Sequence, residues 1–173
     1  IIVCGNGTTL EATNSIFWED QTQAGFTDCP LELVTHSDLY TTGQIDPEQG
    51  NINQYPLFVA PGTWQNGEWT PGDYRLQAAS PCVDQGSNRA QGLAVTDIDG
   101  NFRVVDGDGD TFPTVDMGAY ELGNDAYTPP DIVMVDDDWA GTDMGTDPDG
   151  DGPAGLFGVD AFDCIQEAIG LAA

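Results

Sequence analysis

Aspartate alternates with glycine in the second half of this chain, and this pattern limits what that half can fold into. Fifteen aspartates lie between residues 97 and 151, and the whole chain has no lysine. The densest runs are Asp-Gly-Asp-Gly-Asp at 106–110 and Asp-Pro-Asp-Gly-Asp-Gly at 147–152. Carboxylates this close repel one another unless solvent or a cation neutralises them. We therefore expect Gly-rich turns here rather than long helices.

These Asp-rich runs have the chemistry of a calcium site, because carboxylate oxygens on Gly-rich turns are ligands that Ca²⁺ prefers. Residues 147–152 match positions one, three, five and six of an EF-hand loop, but Gly158 stands at position twelve, where that loop needs a bidentate Glu. A looser calcium site is therefore expected. The alternative is a solvated acidic loop that keeps the surface soluble. The candidate metal ligands are Asp97, Asp99, Asp106, Asp108, Asp110, Asp147, Asp149 and Asp151.

A third acidic run, at 136–138, directly follows the apolar segment 132–135. If the apolar strand continues through this run, alternate side chains face opposite ways, so the three carboxylates cannot all aim at one ion. We expect one or two of them to cap turns instead.

The charge of the chain excludes several classes of partner. Thirty acidic residues face only Arg75, Arg89 and Arg103, and the net charge is −27. Nucleic acid and anionic membranes both require a Lys/Arg surface, which this chain cannot build. No apolar run approaches the ~20 residues of a membrane span, so membrane insertion is not expected.

Four cysteines, Cys4, Cys29, Cys82 and Cys164, occur without the C-x-x-C spacing of a metal site. They can form one or two disulfides, or they can be small buried hydrophobes. The chain starts at Ile1 and has no signal peptide, as expected for a processed product or a section of a longer protein.

A short internal repeat is present near the start of the chain. The segment Thr-Asn-Ser-Ile-Phe-Trp at 13–18 aligns with Thr-His-Ser-Asp-Leu-Tyr at 35–40, an offset of 22 residues. This period is typical of a rung of a parallel β-helix, in which equivalent residues stack in ladders. His36 would then occupy the ladder position of Asn14, which favours a structural role for this histidine over a catalytic one.

The last segment of the chain carries a helical pattern. Phe162, Ile165, Ile169 and Ala172 recur at spacings of three, four and three residues, which predicts one apolar face on a helix. Asp160 is a suitable N-cap for it.

A set of motifs gives the chain a family resemblance. The motifs are Gly-Asn-Ile-Asn at 50–53, Pro-Leu-Phe-Val at 56–59, Gly-Asp-Tyr-Arg-Leu at 72–76, Ser-Pro-Cys-Val-Asp-Gln-Gly at 80–86, Asp-Ile-Asp-Gly-Asn-Phe-Arg at 97–103 and Val-Asp-Met-Gly-Ala-Tyr-Glu at 115–121. In this order they resemble the closing region, of the choice-of-anchor type, of secreted bacterial right-handed parallel β-helix proteins. Residues 135–169 resemble the opening cap of a further β-helix. The family usually has Pro where Phe102 stands.

The resemblance implies an all-β fold: right-handed parallel β-helix rungs with a loop-rich β cap and one short C-terminal capping helix. It also implies a division of the chain into four parts. These are β-helix rungs at 1–41, a closing cap at 42–122, a linker at 123–131, and an opening strand, Asp/Gly loop and capping helix at 132–173.

Two rungs are too few for a stable solenoid, which needs about three repeats and caps. We therefore expect copies of the chain to dock head to tail into a filament, because a contact that does not close on itself builds one. The alternative is docking against neighbouring β-helix domains of a longer chain. The interface candidates are Ile1, Ile2, Val3, Phe162, Ile165 and Ile169.

The expected function is structural: a calcium-stabilised extracellular building block of a cell-surface structure or filament. An enzyme is not expected, since the chain has no Lys to act as base and two rungs offer no groove; a polysaccharide lyase or hydrolase is the less favoured alternative. A surface adhesin or polysaccharide-binding module is the other alternative. Trp64 and Trp69, with Tyr74, would form its sugar-stacking platform, unless these rings pack in the cap or a subunit interface.

Overall fold

A computed structural model describes residues 2–3, 9–18, 26–27, 30–41, 45–110, 112–123, 133–150, 152, 154–158 and 161–163. Within these ranges short β-strands and turns dominate, and the helical segments are the two 3₁₀ turns Pro47–Gln49 and Asp137–Trp139. No helix in these ranges is long and apolar enough to cross a membrane.

The described strands are two to four residues long and pair into seven two-stranded sheets. In chain order they are β1 (Ile2–Val3), β2 (Glu11–Thr13), β3 (Ile16–Phe17), β4 (Phe26–Thr27), β5 (Leu33–Thr35), β6 (Asp38–Leu39), β7 (Phe58–Ala60), β8 (Thr63–Gln65), β9 (Glu68–Thr70), β10 (Asp73–Leu76), β11 (Val104–Val105), β12 (Thr114–Val115), β13 (Met134–Val135) and β14 (Ala161–Phe162).

The internal repeat pairs with itself. Strands β2 and β5 run parallel with Thr13 opposite Thr35, and β3 and β6 run parallel in the same 22-residue register. The hydroxyls of the two threonines lie 3.1 Å apart. The chain bends at Asn14 between β2 and β3, and at His36 between β5 and β6. Both residues have positive φ, 52° and 44°. The ladder equivalence of these two residues is therefore visible in the backbone.

The prediction of a right-handed parallel β-helix is wrong. Four of the seven described sheets are parallel pairs, namely β1–β4, β2–β5, β3–β6 and β13–β14, but the stack that extends the repeat continues by only one described bridge, between Asp38 and Ile52. Three of the sheets described, β7–β10, β8–β9 and β11–β12, are antiparallel, and none of the seven holds more than two strands. The physical reason is that the chain between residues 55 and 122 turns back on itself at closely spaced Pro and Gly residues, so its strands pair with strands close by in sequence instead of extending a coil.

The predicted C-terminal capping helix is also wrong where the structure describes it. Phe162, the first residue of the predicted apolar face, lies in β14 and pairs in parallel with Val135 of β13. Its carbonyl accepts a hydrogen bond from the N–H of Asp136 at 3.0 Å. Tertiary strand pairing has overridden a helical sequence pattern here. Residues 164–173 lie outside the described part of the chain.

The hydrophobic core gathers Leu76, Cys82, Val83 and Met117, with Ile16, Ile52, Phe58 and Leu122 packed against it. The core residues come from segments that are distant in sequence, so it joins the repeat, the β7–β10 sheet and the chain around residue 117. Cys82 is a free thiol, fully buried, and its Sγ donates to Oδ2 of Asp38 at 3.3 Å. Disulfide formation by Cys82 is thereby excluded; the other three cysteines lie outside the described residues.

A hairpin projects from this body. Strands β8 and β9 are joined by Asn66 and Gly67, both with positive φ, as in the Asn-Gly turns that suit two-residue hairpin loops. All residues from 63 to 70 are exposed. At the base of the hairpin Gly62 and Gly72 approach so closely that a Cβ on Gly72 would overlap the carbonyl oxygen of Ala60.

The segment 133–163 packs against the chain between residues 88 and 104. The guanidinium of Arg89 donates to both carboxylate oxygens of Asp143. A Cβ on Gly145 would stand 2.5 Å from Cγ1 of Val104, so the side chain of Val104 packs directly on the backbone of Gly145. The four predicted parts of the chain, 1–41, 42–122, 123–131 and 132–173, stay predictions.

Candidate metal centre

Three carboxylates from two separate segments converge on one point. One ligand oxygen from each of Asp84, Asp106 and Asp108 lies within 4.8 Å of the others. Oxygens that share one Ca²⁺ at about 2.4 Å can be at most about 4.8 Å apart, so the spacing fits a common cation. Asp84 is half-buried and Asp108 is exposed, which leaves the cluster open to solvent on one side.

Asp84 is held in place by its backbone and its carboxylate. Its φ is 53°, and its N–H donates to Oδ1 of the buried Asp116 at 2.8 Å. Its own oxygens accept from the N–H of Gly107 at 3.3 Å and of Asp108 at 2.7 Å. These bonds fix the 106–110 loop over Asp84. Residue 107 must be glycine, because a Cβ there would lie 2.9 Å from the carbonyl oxygen of Leu122.

The loop itself is shaped by short Asp side chains bonded to nearby main-chain N–H groups. Oδ1 of Asp106 accepts from Gly109 at 2.7 Å and from Asp110 at 3.0 Å. Oδ1 of Asp108 accepts from Asp110 at 3.0 Å, and Oδ1 of Asp110 accepts from Phe112 at 2.8 Å. Such turns are the local reason that Asp and Gly alternate here. They turn the carboxylates of Asp106 and Asp108 toward the same place.

Burial has the largest effect on the pKa of Asp84. It raises the pKa of this carboxyl above its ordinary value, and the charges of Asp108 and Asp106 raise it further, against the opposing effect of the hydrogen bonds from Asp108 and Gly107. A cation at the cluster would favour the ionised form. Binding of a metal and binding of a proton therefore compete at Asp84.

A row of buried acids continues inward from Asp84. Burial raises the pKa of Asp116, which is 1% exposed, to about 6. Its N–H donates to Oε2 of Glu121 at 2.9 Å, and Oε1 of Glu121 lies 3.1 Å from Nε of Arg103. Burial, and then the charge of Asp116, raise the pKa of Glu121. Arg103 is thus the counter-ion at the inner end of this row.

The third acidic run, at 136–138, does not behave as its sequence predicts. One carboxylate oxygen from each of Asp136, Asp137 and Asp138 lies within 4.8 Å of the others, so the expectation that they cannot share one point is wrong. The strand ends at Val135, and a 3₁₀ turn gathers the side chains that a strand would have separated. Asp136 caps that turn by accepting from the N–H of Asp138 at 3.0 Å, as expected of a turn cap. All three residues are exposed.

Asp97 and Asp99, both predicted as ligands, lie in other contacts and belong to neither cluster of the described residues. Asp97 accepts from the N–H groups of Asp99, Asn101 and Glu121 and from the Asn101 amide. Burial would raise the pKa of Asp97, but these hydrogen bonds outweigh it and the pKa is lowered. Asp99 pairs with Arg75 at 2.7 Å.

The other predicted ligands are placed as follows. Asp110 lies next to the first cluster and orders its loop through Phe112. Oδ1 of Asp147 accepts from Asp149 and Gly150 at 3.2 and 2.8 Å, a turn of the same kind as the one at Asp106. Oδ2 of Asp149 accepts from Ala154 at 3.2 Å. Asp151 lies outside the described residues.

Asp84 is the residue that sequence reasoning missed. It lies 22 residues before Asp106, in the segment Ser-Pro-Cys-Val-Asp-Gln-Gly, where nothing about its spacing marks it as a ligand. Only the packing of the 106–110 loop over Val83 and Leu122 brings it to the cluster.

The structure describes only some of the predicted interface residues. Ile2 and Val3 form β1, which pairs in parallel with β4. Phe162 is 4% exposed and is covered within the chain. Ile1, Ile165 and Ile169 lie outside the described residues. Trp64 and Trp69 face each other across the hairpin with ring centroids 5.6 Å apart.

The chain matches no protein-family model, no curated protein and no solved structure. The resemblance to the closing region of secreted β-helix proteins therefore rests on its sequence motifs alone.

Proposed function

We propose that this chain is a calcium-stabilised structural module that works outside the cell, in a cell-surface structure or filament. The observation that carries the proposal is the convergence of Asp84, Asp106 and Asp108 within 4.8 Å. In a chain with a net charge of −27, a divalent cation at this point would relieve the repulsion among three adjacent carboxylates.

The donor set supports calcium over other metals. The cluster consists of carboxylates alone, and hard oxygen ligands suit Mg²⁺ and Ca²⁺ rather than zinc or copper, which take imidazole or thiolate. Mg²⁺ demands near-ideal octahedral geometry, whereas Ca²⁺ accepts six to eight oxygens in irregular arrangements. Main-chain carbonyls and water can complete an irregular shell around an open cluster more readily than a strict octahedron.

The exposure of the cluster supports an extracellular setting. Several of its oxygens already accept hydrogen bonds from main-chain N–H groups, and Asp108 is exposed. Such a site is expected to bind weakly, in the range of about 10⁻⁴–10⁻³ M found for extracellular calcium modules. Only the millimolar calcium outside cells would fill it.

The position of the cluster supports a structural role. Asp84 follows directly on Cys82 and Val83, which belong to the core, while Asp106 and Asp108 lie in a surface loop. A bound ion would tie the loop to the core. At ten times the dissociation constant, a ligand that binds only the folded state adds about 1.4 kcal/mol to the free energy of unfolding.

The test is calcium binding by isothermal titration calorimetry. Thermal unfolding in 5 mM CaCl₂ and in EDTA is the second readout, and calcium at ten times its dissociation constant should raise the free energy of unfolding by ~1.4 kcal/mol. Asp106→Asn keeps an oxygen that can accept from Gly109 and Asp110 but removes the charge, so binding should weaken at least about tenfold. Asp46→Asn is the matched control: Asp46 also caps a turn, at 3.0 Å from the N–H of Glu48, but lies in neither carboxylate cluster of the described residues. Equal calcium affinity in both variants would refute the assignment.

A further inference from the structure

A groove lined by aromatic rings lies against the hydrophobic core. It has a volume of about 640 Å³, within the usual range for ligand sites. Aromatic rings line it, namely Phe17, Trp18, Phe58, Tyr74 and Tyr120. Met117 forms part of its wall and is itself fully buried in the core, so the groove rests on a fixed base.

The groove continues onto the projecting hairpin as a row of rings. Phe58 and Tyr74 pack edge to face with centroids 5.4 Å apart. Tyr74 and Trp69 both adjoin Gly62, where a Cβ would meet the ring of Trp69 and would lie 2.8 Å from the hydroxyl of Tyr74. Trp69 in turn packs against Trp64 at 5.6 Å. The row therefore runs from the groove to the tip of the hairpin.

These rings are open to solvent. Trp64 is 63% exposed, Trp69 44% and Tyr74 37%. Exposed aromatic rings that are contiguous, rather than scattered singly, mark a surface that binds something.

Charge identifies the kind of ligand. None of the described residues that line the groove is charged. The segment 55–72, which carries most of the row, has one acidic residue, Glu68, and no basic residue, in a chain with thirty acidic residues. Arg75 lies over the ring of Tyr120, 5.0 Å from its centroid, but it is paired with Asp73 and Asp99. The surrounding negative charge would repel an anionic polymer, and this cation already has carboxylate partners. The fit is to an uncharged ligand with flat apolar faces and many hydroxyls.

We propose that the groove and hairpin bind a neutral polysaccharide chain. Sugar rings stack their C–H faces on Trp64, Trp69 and Tyr74. Tyr120 and Ser15 line the groove and offer hydroxyl oxygens to sugar hydroxyls, that of Ser15 as an acceptor because it donates to the Thr13 carbonyl at 3.0 Å. Extension of the row beyond the groove favours a polymer over a single sugar. This binding is independent of the calcium cluster and stands whether or not that site takes an ion.

Retention of the full chain on insoluble polysaccharide tests the proposal. The probes are microcrystalline cellulose, chitin and ivory-nut mannan, with calcium polygalacturonate as the anionic comparison. Wild-type protein should be retained by at least one neutral polymer and not by polygalacturonate. Trp64→Ala should weaken that retention about tenfold or more, as expected for loss of the most exposed aromatic contact of the row.

Phe112→Ala is the matched control, because Phe112 is an aromatic residue 72% exposed but outside the row. Its retention should equal that of the wild type. Both side chains are largely in solvent, so both variants are expected to fold. Tyr74→Phe, which keeps the ring, should retain binding within about threefold.

Three outcomes would overturn the proposal. The first is no retention on any neutral polymer, and the second is equal retention of the wild type and Trp64→Ala. The third is evidence for a different occupant. A second copy would be shown by wild-type dimers in light scattering that are absent in Trp64→Ala. A peptide would be shown by Trp64-dependent binding of a proline decapeptide without polysaccharide retention, since aromatic grooves also accept polyproline helices.

Discussion

The carboxylate of Asp84 accepts a hydrogen bond from the main-chain N–H of Asp108 at 2.7 Å, although the carboxylates of the same two residues lie close enough to share one cation. The main chain of Asp108 thus draws the loop toward Asp84 while its side chain repels it. A cation bound between the two carboxylates would replace their mutual repulsion with attraction of both to the metal. The ligand oxygens already lie close enough together for one cation to contact them all.

Calcium affinity should fall as the pH is lowered from 7.5 toward the ordinary titration range of aspartate, and the fall should begin at a higher pH than for a site of fully exposed carboxylates. Burial raises the pKa of Asp84, so this carboxyl takes up a proton earlier in an acid titration than an exposed aspartate. Calorimetry at a pH where the affinity has begun to fall, in two buffers of different ionisation enthalpy, should give different apparent heats, because calcium displaces a proton. Identical heats and a pH-independent dissociation constant would contradict the coupling.

The wild type should lose stability as the pH rises from 4 to 7, through Asp38 and Asp116. Burial raises the pKa of each from 3.8 to about 6. The native state therefore holds more protons than the unfolded state between these values, so the free energy of unfolding decreases with rising pH, by on the order of a few kcal/mol in total. This favourable contribution is complete below pH 4 and is lost above pH 6.

The isosteric variant Asp38→Asn isolates one of these carboxyls. An amide cannot ionise, so its free energy of unfolding relative to the wild type should improve on going from pH 4.5 to pH 7.5. Urea denaturation in EDTA at the two pH values measures the difference. A difference that does not change with pH would show that Asp38 titrates normally in the folded protein.

Packing of the 133–158 segment against the body can be tested with a pair of glycines. Gly145 and Gly141 have similar positive φ, 80° and 87°. A Cβ at 145 meets Val104 at 2.5 Å, whereas a Cβ at 141 meets nothing within 4 Å. Gly141→Ala should cost about 1 kcal/mol from backbone strain alone. Gly145→Ala should cost about 1–3 kcal/mol more, because Val104 must move. Equal losses in urea denaturation would mean that the two segments are not packed together in solution.

Cys82 should resist alkylation in the folded protein. Burial is the main cause that raises the pKa of this thiol, and the neighbouring Asp38 raises it further, so the reactive thiolate is scarce and covered. Iodoacetamide labelling with subsequent peptide mass mapping should leave Cys82 unmodified until denaturant is added. Rapid labelling of Cys82 in native buffer would contradict the buried position.

The sequence alone was enough for the local register of the repeat and not for the architecture around it. Thr13 and Thr35 pair as the 22-residue offset predicts, because similar backbone bends at Asn14 and His36 come directly after them. The coil that this offset suggested does not continue. Beyond the repeat, hairpins such as β8–β9 decide the architecture, since their tight turns favour pairing between neighbours in sequence.

Site prediction had the same limit. The alternation of Asp and Gly was a sound guide to turns, and Asp106 and Asp108 do converge. Their partner Asp84 comes from a segment whose position depends on core packing, which no local pattern encodes. The prediction for the run at 136–138 is wrong for a different reason: it extends the side-chain alternation of a strand past Val135, where a 3₁₀ turn begins.

The closely apposed glycines at the base of the hairpin separate the exposed hairpin from the packed body of the chain. Gly62 and Gly72 hold the hairpin at a neck where the backbone leaves room for no side chain, and beyond that neck every residue from 63 to 70 faces solvent. Residues of the hairpin can be exchanged without disturbing the core that supports them. Substitutions beyond the neck therefore alter the exposed surface of the hairpin, while the contacts that build the core lie on the other side of it.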